Sequence, residues 1–516
     1  MENFFPGLQS VKSLARDCPV TRRIMAARWR EFLLTPKAFL SGLLAILLWA
    51  WASAITQVSG LRKIAVAPPV SDVFRSLSIL FLLTPIAFLL LINRRSSPDS
   101  RTHLVLWLIM APLAVSYAFL PAPFFDYVWD VMLLECFFVT SCSLVLLTEA
   151  SVAKFATWPL RLLLFKLMFS MGVIKLVYGM TEWKTGGAMQ FFWQNQPMPG
   201  LVSWYANALP GWLQKTFSWY TLFVEVPATV LIFAGPRSRK VFFWLNLLLQ
   251  LGIFFSGNYA FFNLLTILLS WSLWQVRTGN VTRENTGGFF RQAARICFGI
   301  ILAGWLCSSS WNIYKVLHFE RGYLPEYSWV FLKNDTQLAI PSPLRDLLSV
   351  YAAPKFSAPY GLFAHIPRYR MEISIEGSYD QKAWRVYPFR VKPKECERAP
   401  TWYAPHHWRL DHQMYYESFR IRDPGLHARM SHFLGARWMP GLLTALSRAD
   451  ADVLQLLSEN PFPDRPPHFF RLRYQYYLFT SMEEKRLTGL YWKTESTHAG
   501  QFFEETLSSM DFEKLP

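Results

Sequence analysis

Three charged residues inside apolar stretches are the strongest candidates for chemistry in this sequence. Lys175 lies in RLLLFKLMFSMGVIKLVYG, Glu225 in the apolar stretch that begins near residue 217, and Glu135 in the one that begins near residue 128. A charge inside an apolar helix is costly unless it is paired, neutralised or in a wet cavity. At 1.5 Å of rise per residue, both glutamates lie roughly 10 to 12 Å from the nearer helix end, beyond the reach of a carboxylate side chain. A lysine with a lowered pKa could act there as a base, whereas a paired lysine would hold helices together.

Helical spacing separates the two lysines of this stretch. At 100° per residue, Gly172 and Lys175 both lie within about 40° of Gly179, and Lys166 points almost the opposite way from Lys175. Small residues beside a cation indicate a face that packs on another helix. Lys175 is also only about 5 Å from its helix end and Lys166 about 12 Å, so snorkelling to the membrane surface is an alternative for each. We interpret Lys166 as such an anchor.

Lys175 has two further interpretations. With Glu225, Glu135 and Asn263 it would line a polar cavity in the outer leaflet, and in the simpler interpretation Lys175 and Glu225 form a coupled pair that holds the bundle together. Convergence of Lys175, Glu225 and Glu135 on one open space would indicate an enzyme. Separate pairing would indicate a scaffold.

The elements that carry these residues are membrane helices. The chain of 516 residues is 52% hydrophobic, with aromatic and charged residues at 17% each, and its apolar runs are long enough to cross about 30 Å of hydrocarbon. This composition is typical of a polytopic α-helical membrane bundle. We predict about nine spans, at residues 38–58, 74–93, 103–120, 128–148, 158–178, 217–235, 240–256, 258–275 and 295–311.

Basic residues orient the bundle. With the N-terminus in the cytoplasm, the inner segments hold about nineteen Lys and Arg residues and the outer loops about four, as the positive-inside rule requires. The first apolar run has no cleavage signature, so we expect a retained helix. Three regions follow: a cytoplasmic basic segment 1–37, a transmembrane domain 38–311 and an extracytoplasmic domain 312–516. The net charge of +17 is thus a topology signal, and no nucleic-acid partner is expected.

The region after residue 311 has the composition of a soluble α+β domain. YRMEISIEGSYDQKAWRVYPFRVK alternates around a turn and predicts an antiparallel hairpin, HFFRLRYQYYLFT and LTGLYWKTE predict a second strand pair, and PGLLTALSRADADVLQLLSEN between them is helical in pattern. Before it, the loop TEWKTGGAMQFFWQNQPMPGLVSWYANALPGW is rich in Trp and Pro. We predict a folded lid over the outer face in which Trp193, Trp204 and Trp212 lie near the bilayer surface in contact with the outer domain, and we take these residues as candidate client or membrane-interface contacts.

Motifs for cofactors and metals are absent from the sequence. His406, His407 and His412 in PHHWRLDHQ lack a cysteine or carboxylate cluster at ligand spacing, so no zinc site is expected, and there is no Gly-rich phosphate loop or nucleophile elbow. We interpret Arg409 and Asp411 as an ion pair at a helix start. Cys136 and Cys142 are expected to be buried thiols. No cofactor is predicted.

Several blocks together resemble one family. RLLLFKLMFSMGVIKL, FFWQNQPMPGLVSWYANALPGW, SGNYAFFNLLTILL, YGLFAHIPRYRMEISIEGS, APHHWRLDHQMYYESF and LTGLYWKTE are similar, in order, to blocks of the lipase maturation factor family. The resemblance implies a multi-pass membrane protein that, in animals, lies in the endoplasmic reticulum and helps secreted dimeric lipases to fold and assemble. The chain length, the absence of a retrieval ending and the sparse cysteines favour a bacterial inner-membrane member.

A second resemblance concerns Lys175 alone. MGVIKLVYGMTEW is similar to the lysine-bearing helix and following loop of the vitamin K-dependent carboxylase type of membrane domain, in which an intramembrane lysine acts as a base. The main functional prediction is therefore a membrane-embedded, chaperone-like maturation factor with membrane lipid and a secreted, lipase-like client as partners. The alternative is an intramembrane enzyme that uses Lys175 with the carboxylates of Glu225 and Glu135 on a lipid or peptide.

Overall fold

The computed structural model covers most of the predicted elements. It describes residues 36–65, 98–121, 124–147, 157–177, 179–274, 289–317, 342–343, 348, 350–351, 355–364, 366–393, 396–418, 438–495 and 504–508. The predicted span at 74–93, and all but the last two residues of segment 1–37, lie outside these ranges.

The first part of the chain is helical, as predicted. Its described helices are α1 (Pro36–Ile55), α2 (Val58–Ile64), α3 (Pro98–Ala118), α4 (Val128–Leu147), α5 (Trp158–Val177), α6 (Thr181–Thr185), α7 (Met189–Asn195), α8 (Leu201–Asn207), α9 (Gly211–Glu225), α10 (Pro236–Ser256), α11 (Phe262–Ser270) and α12 (Phe289–Leu317). Short 3-10 helices follow α9 at Pro227–Ile232 and α11 at Trp271–Leu273.

Two predicted spans differ from the observed helices. The span predicted at 217–235 is divided, because Pro227 has no N–H to continue the ladder of α9 and a 3-10 helix takes over. The span predicted at 258–275 begins as a helix only at Phe262, since Ala260 before it has a left-handed backbone with φ of 51°. Among the described helices, Ala38–Ile55 alone is long and apolar enough to cross a membrane by length and composition. The number of nine spans therefore stays a prediction.

The polarity of α9 is in part the reverse of that of a soluble helix. Its outward face exposes Trp212, Trp219 and Phe223, while Gln214 and Glu225 are buried inside. A helix in water buries its apolar stripe and exposes its polar one. An apolar surrounding outside this bundle explains the reversal, because lipid solvates the aromatic face and the polar groups find partners within.

Polar side chains join α10 to α11, the two helices that pack side by side around the short connection at residues 257–261. The Asn246 amide donates to the Ser270 hydroxyl at 2.6 Å, and the Asn263 amide donates to Gln250 Oε1 at 2.7 Å. These residues are buried. Interhelical hydrogen bonds of this kind stabilise helix association where both sides are equally apolar.

The Trp- and Pro-rich loop is folded, as predicted, whereas its place as a lid over the outer membrane face stays a prediction. It forms α6, α7 and α8, and its backbone is tied to α10 by the Gly200 N–H, which donates to the Ser256 carbonyl at 2.8 Å. The Ser203 hydroxyl also donates to the Ser256 carbonyl, at 2.6 Å. Residues 180–208 therefore have a fixed place on the bundle.

An antiparallel sheet forms the centre of the C-terminal domain. Its strands are β1 (Arg370–Ser378), β2 (Arg385–Tyr387), β3 (Phe469–Phe479), β4 (Trp492–Glu495) and β5 (Glu504–Ser508), in the order β2-β1-β3-β4 with β5 also paired to β3. The two predicted hairpin pairs, β1–β2 and β3–β4, are confirmed. The central β1–β3 pairing and β5 were not predicted, because pairing between distant strands leaves no local pattern.

Helices accompany this sheet in the C-terminal domain. They are α13 (Arg409–Glu417), α14 (Trp438–Ser447), α15 (Ala451–Leu454) and α16 (Met482–Thr488). The predicted helical segment corresponds to α14 and α15, which Asp450 separates by capping the N-terminus of α15. Ser481 and Glu484 form a capping box on α16. A mostly helical chain with a small antiparallel sheet is confirmed.

Candidate functional site

Lys175 and Glu225 form a buried ion pair between α5 and α9. The Lys175 ammonium donates to both carboxylate oxygens of Glu225, at 2.8 and 3.0 Å, and to the Met171 carbonyl at 3.0 Å. The ring of Trp183 lies on another side, 5.4 Å from the ammonium. The helices approach closely because Gly172 lacks a side chain: a Cβ there would lie 2.7 Å from that of Glu225. The predicted contact is therefore confirmed.

Glu135 does not join this pair but binds Lys166. The Lys166 ammonium lies 2.6 Å from Glu135 Oε1, and both side chains are almost wholly buried. The Trp305 indole N–H donates to Glu135 Oε1 at 2.8 Å, and the Tyr360 hydroxyl donates to Oε2 at 2.5 Å. The interpretation of Lys166 as a snorkelling anchor is wrong, because Glu135 satisfies its charge inside the bundle.

The two lysine–glutamate pairs lie on opposite faces of α5. Nine residues separate Lys166 from Lys175, which corresponds to about 13 Å of rise and half a turn of net rotation. Asn263 belongs to neither pair, since it binds Gln250. The predicted single cavity of Lys175, Glu225, Glu135 and Asn263 is therefore not formed in the structure, and each lysine is neutralised by its own carboxylate.

Tyr360 offers a test of the Glu135 network. Removing its hydroxyl in Tyr360→Phe deletes one hydrogen bond to a buried carboxylate, and we expect a loss of about 1.5 to 3 kcal/mol of stability. The thermal unfolding of the purified protein in detergent measures this loss. Tyr205→Phe is the matched control because Tyr205 is exposed. Equal midpoints for both variants would contradict a structural role of the Tyr360 hydroxyl.

Arg409 joins the C-terminal domain to the helix bundle. Its guanidinium binds the Asp130 carboxylate in a bidentate manner, with both contacts at 2.9 Å, and donates to the Tyr117 hydroxyl at 2.8 Å and the Phe124 carbonyl at 2.5 Å. The ring of Phe125 lies 3.8 Å from its Cζ atom. Asp130 is in the first turn of α4, where a negative charge is favourable.

This geometry corrects the predicted ion pair within α13. Asp411 does not pair with Arg409, because its carboxylate accepts hydrogen bonds from the backbone N–H groups of Val391 and Lys392 at 2.7 and 3.3 Å. Burial raises the pKa of Asp411 to about 6. Asp130 is noticeable in the sequence as an acidic residue at the start of an apolar run. Nothing in the sequence links it to Arg409.

Arg370 makes a second buried contact between the two halves. It lies at the start of β1 and donates to the carbonyls of Gln194, Gln196 and Pro197, at 3.0 Å for Gln194 and 2.9 Å for Pro197. Gln194 is in the last turn of α7, whose carbonyls have no partner within the helix. Glu372 contacts Arg370 at 2.5 Å and so compensates its charge. The lid is thereby fixed to the sheet.

His407 and His412 lie beside this interface as a buried pair. Their ring centroids are 4.7 Å apart, and the rings of Tyr127 and Trp129 enclose them. Burial, aided by Arg409 and Arg370, lowers the pKa of His412 to about 3, and burial also lowers the pKa of His407 well below its ordinary value. Within the described ranges, no group of three or more His, Cys, Asp or Glu side chains is placed to hold a metal ion.

The histidine pair predicts acid sensitivity. Both imidazoles are neutral in the folded protein, whereas they take up protons near pH 6.5 when unfolded. Their contribution is therefore complete above about pH 6.5 and is lost as the pH falls toward the folded pKa, on the order of 1 kcal/mol per histidine by pH 5.5. Asp411 changes stability in the opposite sense below pH 6, because it gains a proton more readily when folded.

The variant His412→Gln tests this prediction, because it lacks the imidazole and keeps Asp411. The contribution of Asp411 therefore cancels when the variant is compared with the unmodified protein. We expect the thermal midpoint of the unmodified protein to fall more between pH 7 and pH 5.5 than that of the variant. Parallel curves for the two proteins would contradict the assignment. The absolute stability of the variant does not matter, since only the pH dependence is compared.

The three predicted tryptophans have different surroundings. Trp204 contacts the C-terminal domain, with its ring 5.3 Å from that of Tyr491 and its N–H 3.4 Å from the Thr480 hydroxyl. Trp193 is buried against Phe217 of α9. Trp212 is 69% exposed. A role of these residues in client or membrane contact stays a prediction.

Cysteine chemistry is not indicated by the described residues. Cys136 and Cys142 are buried, as predicted. Cys307 and Cys396 are also free thiols.

Comparison with known proteins identifies the family. The model of the lipase maturation factor transmembrane domain matches residues 64–280, and the model of the lipase maturation factor C-terminal domain matches residues 356–502. Together they cover more than two thirds of the chain. Arg370 and Arg409 thus lie in the second domain, whereas Asp130 and the lid carbonyls that accept from Arg370 lie in the first.

Named relatives agree with the domain models. Lipase maturation factor 2 of Xenopus laevis is 25% identical over 78% of this chain and 68% of its own length. Lipase maturation factor 2 of Mus musculus is 25% identical over 92% of this chain and 84% of its own length, and lipase maturation factor 1 of Homo sapiens is 25% identical over 66% and 60%. No solved structure matches the chain. The order of both domains and the breadth of these matches establish that the chain belongs to the lipase maturation factor family.

Proposed function

We propose that this protein is a membrane-embedded maturation factor that assists the folding or assembly of secreted, lipase-like clients. The observation that carries the proposal is the match of both family domains, in order, together with relatives named for lipase maturation. The proposed mechanism is chaperone-like: a rigid scaffold in the membrane presents the C-terminal domain to the client. Partners are therefore a secreted protein and membrane lipid.

The buried seam between the two halves supports a scaffold. Arg409 contacts Asp130, and Arg370 contacts the backbone of the lid; both arginine side chains are wholly buried. Breaking such contacts leaves uncompensated polar groups. Independent movement of the C-terminal domain would therefore be costly. The lid and the helix ends form one surface with this domain.

The enzyme alternative finds less support in the geometry. It requires Lys175, Glu225 and Glu135 around one open space, whereas Lys175 and Lys166 bind separate carboxylates on opposite faces of α5. Two closed ion pairs of this kind hold neighbouring helices together. A general base needs a lysine that is free to accept a proton.

The orientation we propose keeps the N-terminus in the cytoplasm and the C-terminal domain outside. In this topology the C-terminal ends of helices α1, α3, α5, α10 and α12 point outward. Each of these ends, or the residues directly after it, contacts the C-terminal domain, which supports the orientation. The contacts are Gln57 to the His407 carbonyl, Tyr117 to Arg409, Met180 to Ala364, Asn258 to Thr401 and Asn312 to Ser357. A reporter fused after Ser342 that is active only in the cytoplasm would refute this orientation. The membrane would be a bacterial inner membrane, or that of the endoplasmic reticulum in a eukaryote.

A deletion strain tests the function. Cells that lack the protein should secrete lipase with a lower activity per amount of lipase protein, and the unmodified gene should restore it. Lys63→Ala, which removes an exposed ion pair with Asp450, is the matched control and should restore it as well. Normal lipase activity in the deletion strain would refute the proposal. Cross-linking in the native membrane and mass spectrometry of captured proteins and lipids would then identify the client.

A further inference from the structure

An apolar stripe runs along the outward face of α10. Val241, Trp244, Leu248 and Phe255 are 48 to 64% exposed, and their spacing of three, four and seven residues places them on one side of the helix. The opposite side is buried and carries Asn246 and Gln250. With polar groups inside and apolar groups outside, this face is built for contact with lipid.

Trp402 of the C-terminal domain continues the stripe at its outer end. Its ring centroid lies 5.8 Å from that of Phe255 and 5.3 Å from that of Phe254. Its indole N–H donates to the Phe254 carbonyl at 2.8 Å, in the last turn of α10. The ring is 43% exposed although its polar atom is satisfied.

The position of Trp402 is fixed by its neighbours. The Asn258 side chain, in the connection between α10 and α11, accepts hydrogen bonds from the backbone N–H groups of Tyr403 and Ala404 at 2.7 and 3.0 Å and donates to the Thr401 carbonyl at 2.9 Å. Segment 401–404 is therefore held on the end of the hairpin. The exposed indole is not at the tip of a free loop.

A second aromatic group adjoins the same helix end. Tyr205 lies on α8, which is tied to Ser256 by the Gly200 N–H, and its side chain is 51% exposed beside Trp204. Tyrosine and tryptophan with one apolar body and one polar atom concentrate at membrane interfaces.

We propose that Trp402, Phe255 and Tyr205 form a lipid-binding patch by which the C-terminal domain itself enters the headgroup layer of the outer leaflet. The occupant is the bilayer rather than a protein, because the patch is continuous with the outward stripe of α10 in the transmembrane domain. The patch goes beyond the proposed function, since it gives the soluble domain its own membrane contact and a fixed height above the bilayer.

Fluorescent labels in reconstituted protein test the patch. The six native cysteines are replaced by alanine, one cysteine is introduced by Trp402→Cys or Tyr205→Cys, and each variant is labelled with the environment-sensitive dye NBD in phosphatidylcholine vesicles. Lys382→Cys is the control, because Lys382 is exposed in the turn after β1, at the end of the strand remote from Arg370. We expect labels at 402 and 205 to emit at shorter wavelength than at 382 and to lose emission when the vesicles contain a lipid with a shallow nitroxide.

Aqueous iodide gives the complementary result. Iodide should quench the label at 382 strongly and the labels at 402 and 205 weakly. Equal iodide quenching at all three sites would overturn the proposal. Labels shielded from both iodide and nitroxide lipid would also overturn it and would assign the patch to contact between copies of the chain. Tyr205→Cys keeps the test valid if Trp402→Cys does not fold, since it leaves Trp402 in place.

Discussion

Arg409→Met is expected to lower the yield of folded protein more than any other single change considered. The substitution leaves Asp130 buried with the Tyr117 hydroxyl and the Tyr127 N–H as its remaining donors. Removing one partner of a buried ion pair costs about 3 to 5 kcal/mol, because the other charge has no compensation. The Phe124 carbonyl and the Tyr117 hydroxyl, which also accept from the guanidinium, each lose a donor as well. The yield of monodisperse protein from membrane extracts and the thermal midpoint in detergent measure the loss.

Two controls separate charge compensation from general damage at the interface. The double variant Arg409→Met with Asp130→Asn should recover part of the yield, because no buried charge is left unpaired. Lys63→Ala removes an ion pair between the same two halves, but with the lysine side chain 45% exposed, and should change little because exposed pairs are screened by water. A double variant no more stable than Arg409→Met would contradict the proposed compensation.

Lys175→Met and Glu225→Gln are expected to be the next most damaging changes. Each leaves a buried partner without its counter-charge, at a cost on the order of 3 to 5 kcal/mol. The double variant should be milder than the sum of the two, because neither charge remains. The unmodified protein, the two single variants and the double variant form a double-mutant cycle. The yields of folded protein from these four give the coupling between Lys175 and Glu225.

Lipase maturation by the same four proteins separates structure from catalysis. If the pair is structural, the double variant that recovers its fold should also recover function. If Lys175 is a base, the double variant folds and stays inactive. Single variants that fold and function normally would contradict both roles and leave Lys175 as a surface anchor.

Apolar runs in the sequence predict most of the helices. Helices α1, α3, α4, α5, α10 and α12 overlap predicted spans, with ends that differ by up to about six residues, because each contains one continuous apolar run. The end of α9 is shifted from the prediction by Pro227, and the start of α11 by the backbone of Ala260. Both deviations are local backbone effects that a hydropathy pattern does not contain.

Pairing between charges is only partly visible in the sequence. The Lys175–Glu225 contact was predicted from depth and from the small residue Gly172 on the same face. Arg409 and Asp130 gave no such signal, since 279 residues separate them and Asp411 offered a nearer partner. The pairing of Lys166 is also invisible in the sequence, because a snorkelling anchor and a buried donor have the same position in a single helix.

The contact between Arg409 and Asp130 also imposes an order on biosynthesis. Asp130 enters the growing chain 279 residues before its partner. At about 5 to 20 residues per second, the ribosome needs on the order of tens of seconds to supply the arginine. During that interval the start of α4 holds an acid without its counter-ion, so the nascent bundle stays incomplete until about half of the C-terminal domain has been made. Release of a chain shortened before residue 409 would thus leave a marked defect for membrane quality control to recognise.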